Sequence, residues 1–455
     1  MSSVMSFLPH ELIIDNFAGG GGTSTGLEQA FGRPVDVAIN HDPKALAMHR
    51  INHPETKHYC ESVWDIDPVE VTGNQPVGLV WLSPDCKHFS KAKGGKPVEK
   101  KIRGLAWIAL RWAAKTRPRV IMLENVEEFK TWGRTNEDGR PCSKHQGETF
   151  RSFVKALRNQ GYEVEWRVLR ACDFGAPTIR KRFFMVARRD DLPISWPIPT
   201  HGDPNSVAVQ KGRLRPYRTA AECIDWSIEC PSIFKRKRPL VEATLKRIYR
   251  GLDKHLFNCA EPFIVNNCMA PVLTECANAS SPRTMATNEP LRTICAQVKG
   301  GHHAIIVSHL SKLRNNCVSQ GVAEPMHTIT AGGGHFAEVR AFLTAFYGNE
   351  KDGNAVDKPL RTIPTRDRFG LVTINQQQYQ ITDIGFRMLQ PAELFKAQGF
   401  PASYIFERGI DELGNEIRLT KTEQARMCGN SVCPQLSRAL VEANFKHENA
   451  YRGAA

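Results

Sequence analysis

Residues Leu12-Ile13-Ile14-Asp15-Asn16-Phe17-Ala18-Gly19-Gly20-Gly21-Gly22 decide how this chain is read. A short apolar strand feeds a turn of four glycines, and a helix follows it. Glycines at such a junction let the backbone approach a ligand and leave amide donors at a helix N-terminus. A structural tight turn is the plainer alternative. The G-x-G-x-x-G dinucleotide fingerprint is absent, since Ser24 and Thr25 stand where its last glycine would fall, which disfavours a nicotinamide oxidoreductase.

Outward from the turn, strands and helices alternate. Val35 to Ile39 reads as a second strand, with Asp42 beyond its end where ribose-binding residues lie, and Val77 to Leu82 as a third. Leu105, Ile108, Ala109 and Trp112 recur at helical spacing, and Pro118 separates that helix from the buried strand Val120 to Leu123. Phe153, Val154 and Leu157 mark another helix, followed by strands around Val164 to Val168 and Phe183 to Ala187. This alternation predicts an α/β fold, a Rossmann-like and mainly parallel sheet covered by helices. From about Trp196 the pattern changes to short β-like runs rich in proline. Glu289-Pro290-Leu291-Arg292-Thr293-Ile294 recurs as Glu324-Pro325-Met326-His327-Thr328-Ile329 and as Lys358-Pro359-Leu360-Arg361-Thr362-Ile363. A period of this length marks a repeated supersecondary unit, suited to DNA contact or to a purely structural role. Helical patterning returns from Pro391 to Gln398 and over Leu436, Leu440 and Ala443. Three regions are expected: 1–196, a β-rich 197–380, and 381–455 returning to the first.

Composition narrows the classes. Lys and Arg number 61 against 47 Asp and Glu, a net charge of +14, which favours a polyanionic partner. The run Lys235-Arg236-Lys237-Arg238 reads as a solvated surface loop rather than a targeting signal. No apolar run reaches the roughly 18 residues of a membrane span, and Met1 to His10 lacks the pattern of a signal peptide, so a cytoplasmic protein is expected. The 13 cysteines are scattered, without paired C-x-x-C spacing, and no metal site is expected.

Three further motifs carry chemistry. Ser83-Pro84-Asp85-Cys86-Lys87-His88 sets a thiol at the end of the third strand, where open α/β sheets bind ligands. Lys87 and His88 would favour the thiolate, while a buried inert cysteine is the alternative. Glu124-Asn125-Val126 puts a carboxyl group at a strand end, able to donate a proton if burial raises its pKa, or simply to form a salt bridge. Arg180-Lys181-Arg182 sets alternate arginines at the head of a strand, one toward a pocket and one away, unless it is a surface basic cluster.

These four motifs in this order resemble the cytosine-C5 DNA methyltransferase family of bacterial or phage type. So do Arg387-Met388-Leu389-Gln390-Pro391-Ala392-Glu393 through Gln398-Gly399-Phe400-Pro401, and Gly429-Asn430-Ser431-Val432-Cys433-Pro434. The resemblance covers roughly residues 11–190 and 385–445; between them this family keeps its target-recognition domain. It implies S-adenosylmethionine as methyl donor, double-stranded DNA as partner, a flipped-out cytosine as substrate and a monomer as the default state. It also implies a place in DNA methylation and restriction–modification, and a stand-alone enzyme with no preceding regulatory domain. Carried over residue by residue, it makes Cys86 the nucleophile and Glu124 the proton donor to N3. Arg182 would hold the base at O2, and Arg180 would support Glu124 or the loop. The cofactor would be held by Phe17, Ala18, Gly19, Gly21, Gly22, Asn40, His41, Asp42, Asn430 and Ser431. Lys91, Lys93 and Lys96 around Gly94-Gly95 suggest a loop that closes over the DNA backbone, with surface solubility as the rival reading. The chain departs from the family in having Asp85 before the nucleophile, Asn40 for an acidic residue, His41 for an aromatic one, and Thr178 and Met427 for glutamines. Alternatives are an RNA cytosine-C5 methyltransferase and a catalytically silent DNA-binding protein.

Overall fold

The computed structural model describes residues 11–84, 104–134, 142–259, 263–265, 272–275, 283–286, 304–313, 319–331, 336–345, 371–374 and 377–445. The chain divides into two compact units, the first of residues 1–218, 325–333 and 394–455, the second of residues 219–324 and 334–393.

The first unit is built on a seven-stranded sheet of β1 (Leu12–Asn16), β2 (Val37–Ile39), β3 (Lys57–Tyr59), β4 (Val77–Leu82), β5 (Val120–Asn125), β6 (Glu163–Arg170) and β7 (Lys181–Arg188). Their order is β3-β2-β1-β4-β5-β7-β6; all neighbours are parallel except β7, which runs antiparallel to β5 and β6. The parallel strands alternate with α1 (Gly22–Phe31), α2 (Pro43–Asn52), α3 (Pro68–Thr72) and α4 (Ile108–Lys115), and α5 (Glu148–Asn159) precedes β6. Because side chains alternate across a strand, each strand feeds two cores. Ile14, Val80, Leu82, Ile121 and Leu123 pack with Trp112 and Phe153 on one face. Ile13, Leu79, Trp81, Val120 and Met122 pack with Leu27, Leu436 and Leu440 on the other. The three-residue β3 was not apparent in the sequence, where Lys57-His58-Tyr59 gives no apolar run.

Beyond β7 the first unit continues through β8 (His201–Gly202), α6 (Val207–Gln210) and β9 (Arg215–Pro216). The second unit contains α7 (Glu242–Leu252) and the β10 (Val272–Glu275)–β11 (Arg283–Ala286) hairpin. It also has a five-stranded antiparallel sheet of β12 (Ala304–Lys312), β13 (Gln320–Gly321), β14 (Phe336–Ala345), β15 (Leu371–Ile374) and β16 (Gln377–Met388), in the order β13-β12-β14-β16-β15. Ile248, Leu252, Val339, Ala341, Ile381 and Phe386 form its core. Its charged centre is Arg387, 2.7 Å from Glu338 and 2.8 Å from Glu393, with Arg340 also on Glu338.

The division falls inside α8 (Pro391–Gln398). The first unit then resumes with the hairpin β17 (Arg408–Ile410)–β18 (Glu416–Arg418), α9 (Lys421–Asn430) and α10 (Pro434–Phe445). Helix α10 lies on α1 so closely that a Cβ at Gly26 would stand 2.0 Å from Ser437 Oγ. Among the described residues no helix is long and apolar enough to cross a membrane.

Candidate functional site

The strand order reverses between β1 and β4, and open α/β sheets bind ligands at such a switch point, beyond the carboxyl ends of the strands. The glycine turn leaves β1 here, and Ser83-Pro84 leaves β4. Phe17 and Gly19 take left-handed backbones, φ 63° and 56°, and Ala18 N–H donates to Ile39 O at 3.1 Å. The glycines serve two different needs. At Gly21 a Cβ would meet Tyr404 Oη at 2.3 Å, and at Gly22 Val432 O at 2.4 Å, so these two are small because protein packs on them. Gly19 has nothing nearer its Cβ position than Phe17 O at 3.8 Å, so the turn is open there.

Beneath the turn, polar groups are buried. Asp15 is fully buried and accepts from Ser24 Oγ at 2.7 Å; its second carboxylate oxygen and both side-chain polar atoms of buried Asn16 find no partner among the described residues. Burial pushes the Asp15 carboxyl up to about 7, against the pull of the Ser24 hydrogen bonds. Tyr404 Oη donates to Gly20 O.

The remaining expected cofactor residues flank this turn. Asn40 Oδ1 accepts from Asp42 N–H at 2.9 Å, and His41 is exposed. Asp42 was expected at a ribose, but its carboxylate caps α2 through Lys44 N–H at 3.0 Å and holds Arg426 of α9 at 2.8 Å. Ser431 Oγ donates to Met427 O at 2.7 Å, and Asn430 is exposed. The stretch Ser431–Val432 lies against Gly22, so the glycine turn and the segment 430–432 come together across some 400 residues of chain. Unpartnered buried polar atoms, an open Gly19 and exposed polar side chains at the strand ends fit a small polar ligand such as S-adenosylmethionine.

At the end of β5, Glu124 is buried, and Arg182 Nε lies 3.0 Å from its carboxylate. Burial raises the Glu124 carboxyl above its ordinary value, with Arg182 and then Arg180 pulling the other way. Arg180 does something different. Its guanidinium, 2% exposed, donates from Nη1 to Ile329 O at 2.9 Å and Gly429 O at 3.1 Å. The cation bonded to Glu124 is therefore Arg182, while Arg180, expected to support Glu124 or the loop, bonds main-chain carbonyls. Arg180 ties two main-chain segments together; strand alternation alone would set residues 180 and 182 on one face, and they part because Arg180 precedes β7 whereas Arg182 lies within it. Ile329 belongs to the middle copy of the repeated sextet, whose Met326 pairs with Thr178 as a parallel bridge. The stretch 325–333 thus packs into the first unit beside Arg180.

Cys86 and the glycine-flanking lysines 91, 93 and 96 lie outside the described residues, as do the first and third copies of the sextet. The strand leading to Cys86 is anchored on both sides. Ser83 N–H donates to Asn16 O at 3.2 Å, and Asn125 Nδ2 donates to Pro84 O at 3.1 Å. Asn125 sits next to Glu124 in a quoted motif but had no assigned role; nothing in its spacing predicts a bond across to β4. Asp15, Ser24 and Tyr404 were likewise not singled out, although a carboxylate and a serine either side of a glycine turn are the signal for the first two. Among the described residues no group of His, Cys, Asp and Glu could hold a metal ion.

Comparison with known proteins adds the family. A C-5 cytosine-specific DNA methylase model matches residues 12–446. The type II methyltransferase M.XorII of Xanthomonas oryzae is 31% identical over 195 residues, 41% of this chain and 43% of that one. M.AquIA of Picosynechococcus is 28% identical over 220 residues, 47% of this chain and 87% of that one. M.SacI of Streptomyces achromogenes is matched over 52% of its length, and the chain spans about half the length of most curated relatives it matches. In fold, a methyltransferase from Entamoeba histolytica superposes with a TM-score of 0.51 at 14% identity, over 97% of this chain and 99% of that one. With its model match running through both units, the chain belongs to the C-5 cytosine-specific DNA methylase family.

Proposed function

We propose that this protein methylates C5 of a cytosine in double-stranded DNA, with S-adenosylmethionine as donor, Cys86 as nucleophile and Glu124 as general acid. The observation that carries the reading is the setting of Glu124: a buried carboxyl group with raised pKa at the end of β5, beside the anchored strand that leads to Cys86.

Cytosine C5 is too poor a nucleophile to take a methyl group unaided. The Cys86 thiolate adds to C6, forming an S–C6 bond, while the protonated Glu124 carboxyl gives its proton to N3. C5 thereby gains enamine character. S-adenosylmethionine, when bound, supplies a sulfonium methyl that C5 can accept with loss of a neutral thioether. The C5 proton then leaves to a base, its electron pair forms the C5–C6 double bond as the Cys86 thiolate departs, and N3 returns its proton to Glu124. Glu124 must be protonated at the start, and burial favours that form. Arg182, bonded to Glu124 at 3.0 Å, fixes the carboxyl orientation and is available to a base oxygen beside it. Arg180 acts on protein alone, holding 329 and 429 in place. The turn Phe17–Gly22, Asn40, His41, Asn430 and Ser431 would hold the cofactor, with Asp42 fixing α2 and α9 around it. The target base must leave the duplex stack to meet these groups. Reading of the target sequence is assigned to residues 219–324 and 334–393, and the charge of +14 favours the phosphate backbone.

Transfer of labelled methyl from S-adenosylmethionine to unmethylated DNA, wild type against Cys86→Ala, tests the reading. Label in cytosine C5 from wild type alone is the expected result. Absence of label on any duplex, with DNA binding intact, would overturn the enzyme in favour of a silent binder. Label on RNA alone would move the substrate class.

A further inference from the structure

Helix α2 carries His49, with His53 at its C-cap one turn on, facing α1 and the edge strand β3. The fully buried His49 has both ring nitrogens engaged: Nε2 lies 2.9 Å from Ser24 Oγ, and Nδ1 lies 2.8 Å from His58 Nε2. Ser24 in turn bonds Asp15 at 2.7 Å. Asp15, Ser24, His49 and His58 therefore form an unbroken hydrogen-bonded chain. It begins under the glycine turn and ends at His58, which lines an open cleft of about 490 Å³ with Arg50, Cys60, Glu61 and Glu412. No step of the proposed methyl transfer uses it.

We propose that these four residues are a proton wire that sets the charge of Asp15 from the cleft, and that binding of a cationic ligand at the glycine turn is coupled to release of one proton through it. The second half rests on the reading of the turn as the cofactor site.

The chain can point either way. With Asp15 a carboxylate, Ser24 donates to Asp15, His49 Nε2–H donates to Ser24 Oγ, and His58 Nε2–H donates to His49 Nδ1. With Asp15 protonated, every bond reverses: Asp15 donates to Ser24, Ser24 to His49 Nε2, and His49 Nδ1–H to His58 Nε2. Passing from the first to the second takes up one proton at the other nitrogen of His58 and delivers one to Asp15. His49 stays neutral in both, and its ring tautomer switches.

Surrounding groups suit the task. Burial, then the nearby His53, His58 and Arg50, keep His49 well below the ordinary histidine value, so it carries protons without storing one. Burial, then Arg50 and His53, lower His58 to about 4. Asp15 faces Ser24 and Glu28 of α1, and Tyr404 senses both carboxyls. His53 is held by Glu28 at 2.8 Å and stands outside the wire. Asp15, at about 7, is the group poised to change. A purely structural chain would hold one direction at every pH. The unpartnered second oxygen of Asp15 argues against a single locked state, since a permanent buried carboxylate would be expected to fill it.

Two readouts test this on the full chain. In the ligand-free protein, nitrogen NMR of the imidazoles should show His49 and His58 exchanging tautomers together near pH 7. The exchange should vanish in Asp15→Asn and be uncoupled in Ser24→Ala. Fixed tautomers from pH 6 to 8 in wild type would overturn the wire, whatever the ligand does. Calorimetry with S-adenosylmethionine in buffers of different ionisation enthalpy should show about three-quarters of a proton released at pH 6.5, and none for Asp15→Asn. Affinity should rise about tenfold between pH 6 and 8, the effect of a group near 7 that must be ionised for binding. Binding without proton release would overturn the coupling and leave the cofactor reading intact. No binding at any pH, with tautomer exchange observed, would overturn the coupling and the cofactor reading while the wire stands.

Discussion

Arg182 Nε stands 3.0 Å from Glu124 Oε1, and both side chains are nearly out of water, 13% and 9% exposed. The pair sets two tendencies against each other: burial favours the neutral acid, the guanidinium favours the carboxylate, and burial prevails. If Glu124 acts as a general acid, the rate must fall as pH rises through its pKa. Removing Arg182 as Arg182→Met lifts that pKa further and moves the alkaline limb of the single-turnover profile to higher pH, even as the maximal rate drops. Glu124→Gln should lose about 10²–10⁴-fold on the acid side of that limb, the range for general acid catalysis, and should lack the limb itself. A Glu124→Gln enzyme with an unchanged profile would remove Glu124 from the chemistry.

Glycine 26 should be unreplaceable for reasons of packing. Its φ is negative, so backbone strain plays no part, yet a Cβ would lie 2.0 Å from Ser437 Oγ and 2.3 Å from Pro434 O. Gly26→Ala should separate α10 from α1 and cost about 1–3 kcal/mol of stability, the usual range for overpacking. Urea unfolding measures it, and the paired change Gly26→Ala with Ser437→Gly should recover only part, because the Pro434 carbonyl stays.

Acid sensitivity should have an unusual sign structure. His49 is buried with a lowered pKa, so below the unfolded value near 6.5 the unfolded chain binds a proton that the fold refuses, and stability falls with pH. His58 adds to this fall. Asp15 works the other way. Raised to about 7, it binds a proton in the fold that the unfolded chain does not bind until near 3.8, so it gains stability as pH drops through 7. Asp15→Asn removes that offset. Its stability should fall more steeply between pH 6.5 and 5 than that of wild type, by about one proton, or about 1.4 kcal/mol per pH unit. Equal slopes in denaturant titrations would mean that Asp15 is ionised in the fold.

In the second unit, Arg387 is the shared partner of Glu338 and Glu393, and all three are at most 6% exposed. Arg387→Met leaves Glu393 without its cation and Glu338 with Arg340 alone, and should cost about 3–5 kcal/mol, as breaking a buried pair does. Adding Glu393→Gln should return much of it, while Glu338 keeps its charge for Arg340. If the single change is mild, water reaches this cluster.

Much of the first unit was legible because its strands announce themselves. Buried parallel strands are uninterrupted apolar runs, so Val77 to Leu82 and Val120 to Leu123 could be read directly. Their ends then fixed where Ser83 and Glu124 had to lie. β3 escaped because three residues at a sheet edge, Lys57-His58-Tyr59, need no apolar pattern. Within the site, residue identities were readable and partners were not. Nothing in Arg180-Lys181-Arg182 says which arginine meets Glu124, since that depends on where β7 begins, and it begins one residue after Arg180. Nor does Asp42 reveal whether it serves a ligand or, as here, a helix cap and Arg426. The sextet repeat was visible, but not that its middle copy packs beside Arg180, a non-local contact without a periodic signature.

The return of residues 394–445 to the first unit carries a consequence for synthesis. The face of α1 that receives α10, and the flank of Gly22 covered by Val432, are made hundreds of residues before the chain that covers them. On a ribosome, the half-built sheet must wait with that face bare through all of 219–324 and 334–393. A nascent chain that stops short therefore cannot present a finished glycine turn.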